Sequence, residues 1–161
     1  MERISKANYY LDIAQTVAKR STCLRRCYGA IIVKNDEIIS TGYNGAPRGR
    51  KNCVDLSYCT REAMKIPSGQ RYELCRSVHA EANCIISAAR RDTIGATIYM
   101  ACVNPSDGSL IPDSSSCSMC RRLIINAGIE KIIIRDTPTD YRVVDVKKEW
   151  IDEDDSLPQM N

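Results

Sequence analysis

The sequence predicts a three-layer α/β/α domain, with one central mixed sheet of about five strands and helices on both faces. Three observations lead there. Helical and β-branched segments alternate along the chain, and two of the strand-like runs flank a two-residue turn. The 161 residues, 43% of them hydrophobic, suffice for one core and offer no second one.

Residues 5–20 place Ala7, Leu11, Ala14, Val17 and Ala18 on one helical face, and Ser5 stands where an N-cap belongs. The next segment, GAIIVKNDEIISTGYNG, carries two β-branched runs around Asn35-Asp36 and reads as a hairpin of strands near 30–34 and 37–43. From Asn44 to Ser77 no period holds, and Gly45, Pro47, Gly49, Pro67 and Gly69 interrupt the chain. So long a stretch without elements is functional or is held by something else.

HAEANCIISAARR at 79–91 predicts a helix, TIYMACV at 97–103 a strand and NPSDGSLIPDSSS at 104–116 a loop. CSMCRRLIINAG at 117–128 predicts a helix ended by Gly128. KIIIRD at 131–136 reads as a buried strand and RVVDV at 142–146 as the fifth. One domain is expected over 1–148, followed by an acidic, flexible tail at 149–161.

The whole chain carries a net charge of +3, and setting aside Glu149, Asp152, Glu153, Asp154 and Asp155 leaves +8 on the rest. That balance suits an anionic ligand, a nucleotide phosphate or a nucleic acid, and equally a solvated basic surface. No apolar run approaches the roughly 20 residues of a membrane span. The start, MERISKANYY, lacks the apolar stretch of a signal peptide, so a cytoplasmic protein is expected. In a reducing compartment, nine cysteines and a single histidine point to metal ligands or small buried hydrophobes rather than disulfides.

His79-Ala80-Glu81 and Cys117-Ser118-Met119-Cys120 each open a predicted helix. A helix N-terminus favours thiolate over thiol, and the Cys-x-x-Cys spacing lets both sulfurs of one turn converge on one ion. His79, Cys117 and Cys120 together make three zinc ligands with a fourth position open to water, the pattern of a catalytic site. Glu81, two residues after His79, can reach that water without being a ligand and can carry its proton. A lone His beside a Glu is usually a surface or core residue, and Cys-x-x-Cys can be a redox pair. The order of the motifs and their helix-opening positions favour the metal.

Cys23, Cys53, Cys59 and Cys75 lie in or beside the irregular region and suggest a closed, structural zinc site, with Cys27 as a rival fourth ligand and free or redox-active thiols as the alternative. Cys84 and Cys102 fall inside predicted elements and read as buried hydrophobes. Tyr43 reads as a packing residue at a strand end. The pairs Arg25-Arg26, Arg90-Arg91 and Arg121-Arg122 are expected on the surface, at subunit contacts or at a phosphate.

The signature H-x-E followed by P-C-x-x-C belongs to zinc nucleobase deaminases, and H-A-E at 79–81 with S-C-S-M-C at 116–120 matches it, with Ser116 in place of the proline. Ser21-Thr22-Cys23, Gly29-Ala30-Ile31-Ile32-Val33, the phrase TGYNGAPRG at 41–49 and VHAEAN at 78–83 extend the match. Through them the chain resembles the cytidine and deoxycytidylate deaminase family, its deoxycytidylate branch in particular, over most of residues 1–136.

The resemblance implies a cytidine-deaminase-like fold and hydrolytic deamination of dCMP. Water activated at the zinc attacks C4 of cytosine, Glu81 protonates N3 and then the leaving ammonia, and dUMP results, feeding thymidylate synthesis. It implies substrate contacts from Asn44, on the deoxyribose side, and from Ala80. The phosphate falls to a basic residue near the motifs, Arg26 or Arg48 with Arg25 beside them. It also implies a second, structural zinc, a homo-oligomer of hexamer type, activation by dCTP, held with Mg2+, and inhibition by dTTP. Two other readings stay open. One is a deaminase for another cytosine or adenine substrate, a free nucleoside or a base in tRNA or single-stranded DNA; against the nucleic-acid substrates stand the absence of Phe and the single Trp. The other is a catalytically idle zinc protein, suggested by Ser116 and the loop before it and opposed by the intact Glu81.

Overall fold

A computed structural model describes residues 1–158 of the chain. Helix α1 spans Lys6–Ala18, and the Ser5 hydroxyl accepts the Asn8 backbone N–H at 3.2 Å to cap it. Strands β1 (Cys27–Lys34) and β2 (Glu37–Tyr43) form the expected hairpin. Asn35 and Asp36 sit at φ 50° and 62°, the left-handed pair that a tight hairpin turn requires. β1 begins earlier than the pattern predicts because Cys27 and Tyr28 pair across the sheet with Val103 and Cys102. That pairing is long-range and leaves no local period.

Strands β3 (Thr97–Val103), β4 (Lys131–Arg135) and β5 (Tyr141–Asp145) complete one sheet of order β2-β1-β3-β4-β5. Only β3 and β4 pair in parallel, and the chain crosses between them through α6 (Ser118–Asn126). Strand alternation sorts the faces. Ile31, Val33 and Tyr99 pack with Tyr10, Ile13 and Val17 of α1. Ala30, Ile32, Ile98, Met100, Ile132 and Ile134 point the other way, against Ala80 and Cys84 of α4 (Ala80–Ile86) and Ile124 of α6. The result is the three-layer mixed sheet that the sequence predicts. Cys84 and Cys102 are fully buried.

The helix expected over 79–91 is two pieces, α4 and α5 (Arg90–Thr93). The chain bends between them so that Arg90 Nη1 donates to the Asn126 carbonyl at 2.6 Å and Thr93 Oγ1 to the Ala127 carbonyl at 2.7 Å. These bonds satisfy carbonyls at the end of α6, which a straight helix would leave bare. Gly128 takes φ 78° just past α6, as predicted. A π-helical turn, Lys147–Asp152, follows β5 and straddles the boundary expected at 148. Its Trp150 packs on the core under the Arg121 guanidinium. The last three positions of the expected tail lie outside the described residues.

The irregular region contains α2 (Cys53–Leu56), α3 (Thr60–Ala63) and a 3-10 turn, Tyr72–Leu74. Two polar hubs order it. Asn52 Oδ1 accepts from Thr22 Oγ1 at 3.0 Å and from the Ala46 N–H at 3.1 Å. Arg61, 5% exposed, donates to the Pro67 and Gln70 carbonyls at 3.0 and 2.6 Å and lies 4.3 Å over the Tyr72 ring. Gly45 and Val78 then exchange two backbone hydrogen bonds, of 3.1 and 2.7 Å, which set the residue before His79 against the end of β2. No helix among the described residues is long and apolar enough to cross a membrane.

Candidate metal and catalytic centre

His79 is the N-cap of α4 and Cys117 the N-cap of α6, and both have extended backbone. The two helix starts lie side by side, and Cys120 adds its thiol from the first turn of α6. His79 Nδ1 stands 3.4 Å from each sulfur, and all three donor atoms lie within 4.8 Å of one another. In a tetrahedral zinc site with the usual bond lengths, a nitrogen and a sulfur are separated by about 3.5 Å. Donor type and spacing therefore fit zinc, through Nδ1 of the histidine. Among the described residues this is the one group of three or more His, Cys, Asp or Glu side chains that converges so tightly.

The charge distribution agrees. Hydrogen bonding to Cys117 and Cys75 pushes the His79 imidazole up to about 10, and the bond from Cys120 drives the Cys117 thiol well below its ordinary range. The site already favours a thiolate, and a cation arriving there displaces the imidazole proton. The Tyr72 ring meets His79 edge-on, with centroids 5.6 Å apart, and helps fix the plane of the imidazole.

Glu81 is 4% exposed, in the first turn of α4. Burial raises its carboxyl pKa, opposed by its own backbone N–H, by His79 and by the Ser116 hydroxyl. His79, Glu81 and Cys117 open on a cavity of about 460 Å³, whose wall also includes Arg26, Tyr28, Asn44, Tyr72, Ser116 and Arg121. That volume suits a small molecule the size of a nucleotide.

Asn44, 5% exposed, is nearly spent on structure. Its Oδ1 accepts from Ser21 Oγ at 2.5 Å and from the Tyr28 N–H at 2.9 Å, and its Nδ2 donates to the Arg26 carbonyl at 2.9 Å. Its second N–H has no partner among the described residues, and the residue lines the cavity. Arg26 lines the cavity, whereas Arg48 is exposed on the turn after Pro47 and does not line it. Ala80 is fully buried behind His79 and is also off the wall, as is Tyr43. Arg25 reaches the wall but is paired with Glu62 at 2.9 Å.

Cys23, Cys59 and Cys75 line the same cavity, while Cys53 is buried beside them. Burial raises the Cys53 thiol pKa, and the charges of Cys23, Cys59 and Cys75 add to the rise. These four thiols are neighbours, yet their sulfurs do not converge as the His79 group does. Arg61 and Tyr72 are site residues that the sequence does not announce, and Arg121, one of the arginines considered for a phosphate, lies on the same wall. Arg121 follows Cys120 on α6, so its nearness to the centre was readable from the motif. Arg61 and Tyr72 arrive through the fold of 44–77, which carries no local signal.

A model of the cytidine and deoxycytidylate deaminase zinc-binding region matches residues 4–135. The deoxycytidylate deaminase of Mycobacterium phage D29 is 36% identical over 138 residues, which cover 83% of this chain and 96% of that protein. The deoxycytidylate deaminase of Schizosaccharomyces pombe is 31% identical over 131 residues, covering 81% of this chain and 37% of the yeast protein. In three dimensions, the dCMP deaminase of cyanophage S-TIM5, solved in complex with dCMP and dUMP, superposes with a TM-score of 0.55 over 83% of this chain and 84% of its own, at 22% identity. The family model, the phage relative and the shared fold agree with the geometry of the centre, and the chain belongs to the cytidine and deoxycytidylate deaminase family.

Proposed function

We propose that this chain hydrolyses dCMP to dUMP and ammonia, a reaction that supplies dUMP for thymidylate synthesis. The observation that carries this reading is a buried carboxylate, Glu81, on the wall of the same cavity as the converged donors of His79, Cys117 and Cys120. Those three residues would hold zinc, which would supply the Lewis acidity that makes water a nucleophile near neutral pH.

The remaining work belongs to the chain. Glu81 takes the water's proton, delivers it to N3 of the cytosine ring and then carries a proton to the departing ammonia. Burial raises its carboxyl pKa above the ordinary carboxylate range, the direction that helps a carboxyl give back the proton it has taken. Asn44 offers its remaining N–H to the sugar. Arg26, on the cavity wall beside Tyr28, meets the phosphate; of the other arginines there, Arg25 pairs with Glu62, Arg61 donates to the Pro67 and Gln70 carbonyls, and Arg121 donates to the Ser116 carbonyl at 3.2 Å. The names of the phage and yeast relatives and the dCMP and dUMP in the cyanophage structure support the nucleotide.

The proposal extends to a second, structural zinc on Cys23, Cys53, Cys59 and Cys75, supported by the presence of three of these thiols on one cavity wall with Cys53 buried beside them. It also includes a cytoplasmic homo-oligomer, hexameric by family resemblance, with dCTP and Mg2+ activating and dTTP inhibiting.

The test is loss of cytosine absorbance from dCMP, CMP, deoxycytidine and dCTP in parallel, each with and without dCTP and Mg2+ as effector. Selective turnover of dCMP is expected, and inactivity on all four by zinc-loaded protein overturns the reading. Metal analysis is expected to give two zinc ions per chain and one for Cys53→Ser. Light scattering reads the subunit number.

A further inference from the structure

Ser116 stands where the signature of zinc nucleobase deaminases has proline. A proline there has no side-chain donor, and Ser116 has one. The residue is 3% exposed and lies on the cavity wall, directly before the ligand Cys117. Its carbonyl is fixed by Arg121 Nε at 3.2 Å, so its backbone is not free to turn away. Its Oγ completes no hydrogen bond with any described residue. A buried hydroxyl without a partner is costly, and a native protein that keeps one in a site has a use for it.

The environment limits what that use can be. The carboxylates on the same wall are Glu81 and Asp113, and only Glu81 is buried; the 3.4 Å approach of His79 to Cys117 brings Glu81, two residues after the one, toward Ser116, directly before the other. A nucleotide filling the cavity excludes water, and the hydroxyl then has Glu81 as its acceptor. Ser114 supplies the contrast. Its Oγ is equally buried and unpartnered among the described residues, but Ser114 is off the cavity wall, and its carbonyl is held by Arg142 at 2.6 Å.

We propose that Ser116 is a positioning residue: its hydroxyl donates to the Glu81 carboxylate and fixes the orientation from which Glu81 carries protons between the water and the cytosine ring. It exchanges no proton itself. A bond to one carboxylate oxygen holds the group in the orientation from which proton transfer proceeds. This role rests on the reading of Glu81 as the proton carrier.

The test compares the full-length unsubstituted chain with Ser116→Ala, Ser116→Thr and Ser114→Ala, measuring kcat and KM for dCMP together with zinc content. Ser116→Ala is expected to lower kcat about tenfold, a fraction of the full contribution of a general acid-base group. Its KM should stay within about twofold and its zinc content should be unchanged, because neither ligand nor substrate contact is removed. Ser116→Thr keeps the hydroxyl and should recover most of kcat, and Ser114→Ala should match the unsubstituted chain. An unchanged kcat in Ser116→Ala overturns the proposal, as does a threonine variant no better than alanine. Loss of zinc from Ser116→Ala also overturns it, by showing that the residue serves the metal ligands. If the unsubstituted, zinc-loaded chain turns over no cytosine substrate, it is the functional reading that fails, and this role falls with it.

Discussion

Gly42 on β2 and Ala80 on α4 touch backbone to backbone: a β-carbon at Gly42 would stand 2.4 Å from the Ala80 carbonyl oxygen and 2.6 Å from the Cys84 nitrogen. The helix that presents His79 and Glu81 therefore lies directly on the strand, with no side chain between them. Gly29 does the same for α1, where a β-carbon would meet the Ala14 carbonyl at 2.1 Å. Both contacts are with main chain, which cannot rotate aside.

Gly42→Ala should accordingly cost about 3 kcal/mol or more of stability, at the upper end of overpacking. Because the strain lifts α4, zinc content should fall as well. Urea unfolding and metal analysis read the two effects, and a variant with unaltered midpoint and full zinc would show that α4 can shift freely. Gly29→Ala should destabilise similarly but keep its zinc, since α1 holds no donor of the centre.

Glu81→Gln keeps size and burial and removes the proton carrier. Turnover of dCMP should drop by about 100- to 10,000-fold, the range of a positioned acid-base group, with zinc retained. Equal activity would assign proton transfer to another group.

Arg135, 2% exposed, ties β4 to α1 through Asp12 at 2.6 Å, Gln15 at 3.0 Å and Asn8 at 3.1 Å. Asp12 is itself more than half exposed and can hydrate if it loses its partner. Removing the carboxylate strands a buried charge, whereas removing the arginine strands none. Asp12→Ala should therefore destabilise by about 3 kcal/mol and Arg135→Met by less. Denaturation that ranks them the other way would place the weight on the arginine's own packing.

The Tyr10 hydroxyl donates to Asp36, and the bond shifts both groups. It pushes Tyr10 up to about 12 and, with Lys6, holds Asp36 below the ordinary carboxylate range. Arg142 lowers Asp136 in the same way. A lowered carboxylate stabilises the fold fully above its unfolded pKa near 4 and loses that effect as pH falls through the folded value. A raised tyrosine stabilises below its unfolded pKa near 10 and loses the effect as pH rises through about 12. Asp136→Asn should flatten the acid limb of stability, Tyr10→Phe the alkaline limb and Asp36→Asn both. Thermal melts across pH that run parallel to the parent would refute the linkage.

The sequence by itself determined the alternation of helix and strand, the Asn35-Asp36 turn, the end of α6 at Gly128 and the identity of the donors His79, Cys117 and Cys120. Each is written in neighbouring residues, as a period, a turn pair or a short motif, and local backbone preference suffices to express it. Tertiary structure decided the rest. The bend after α4 depends on carbonyls of α6 that lie more than 30 residues away. The early start of β1 depends on β3, and the order within 44–77 depends on Asn52 and Arg61 finding carbonyls and side chains that no spacing announces. Arginines that look alike in sequence are sorted by what lies beside each: Glu62 for Arg25, Trp150 and the Ser116 carbonyl for Arg121, solvent for Arg48, and Tyr28 and the cavity for Arg26. Motif chemistry is local because it belongs to residue type and spacing. Burial, pairing and the desolvation that raises the Glu81 pKa belong to the surroundings, which only the folded chain assembles.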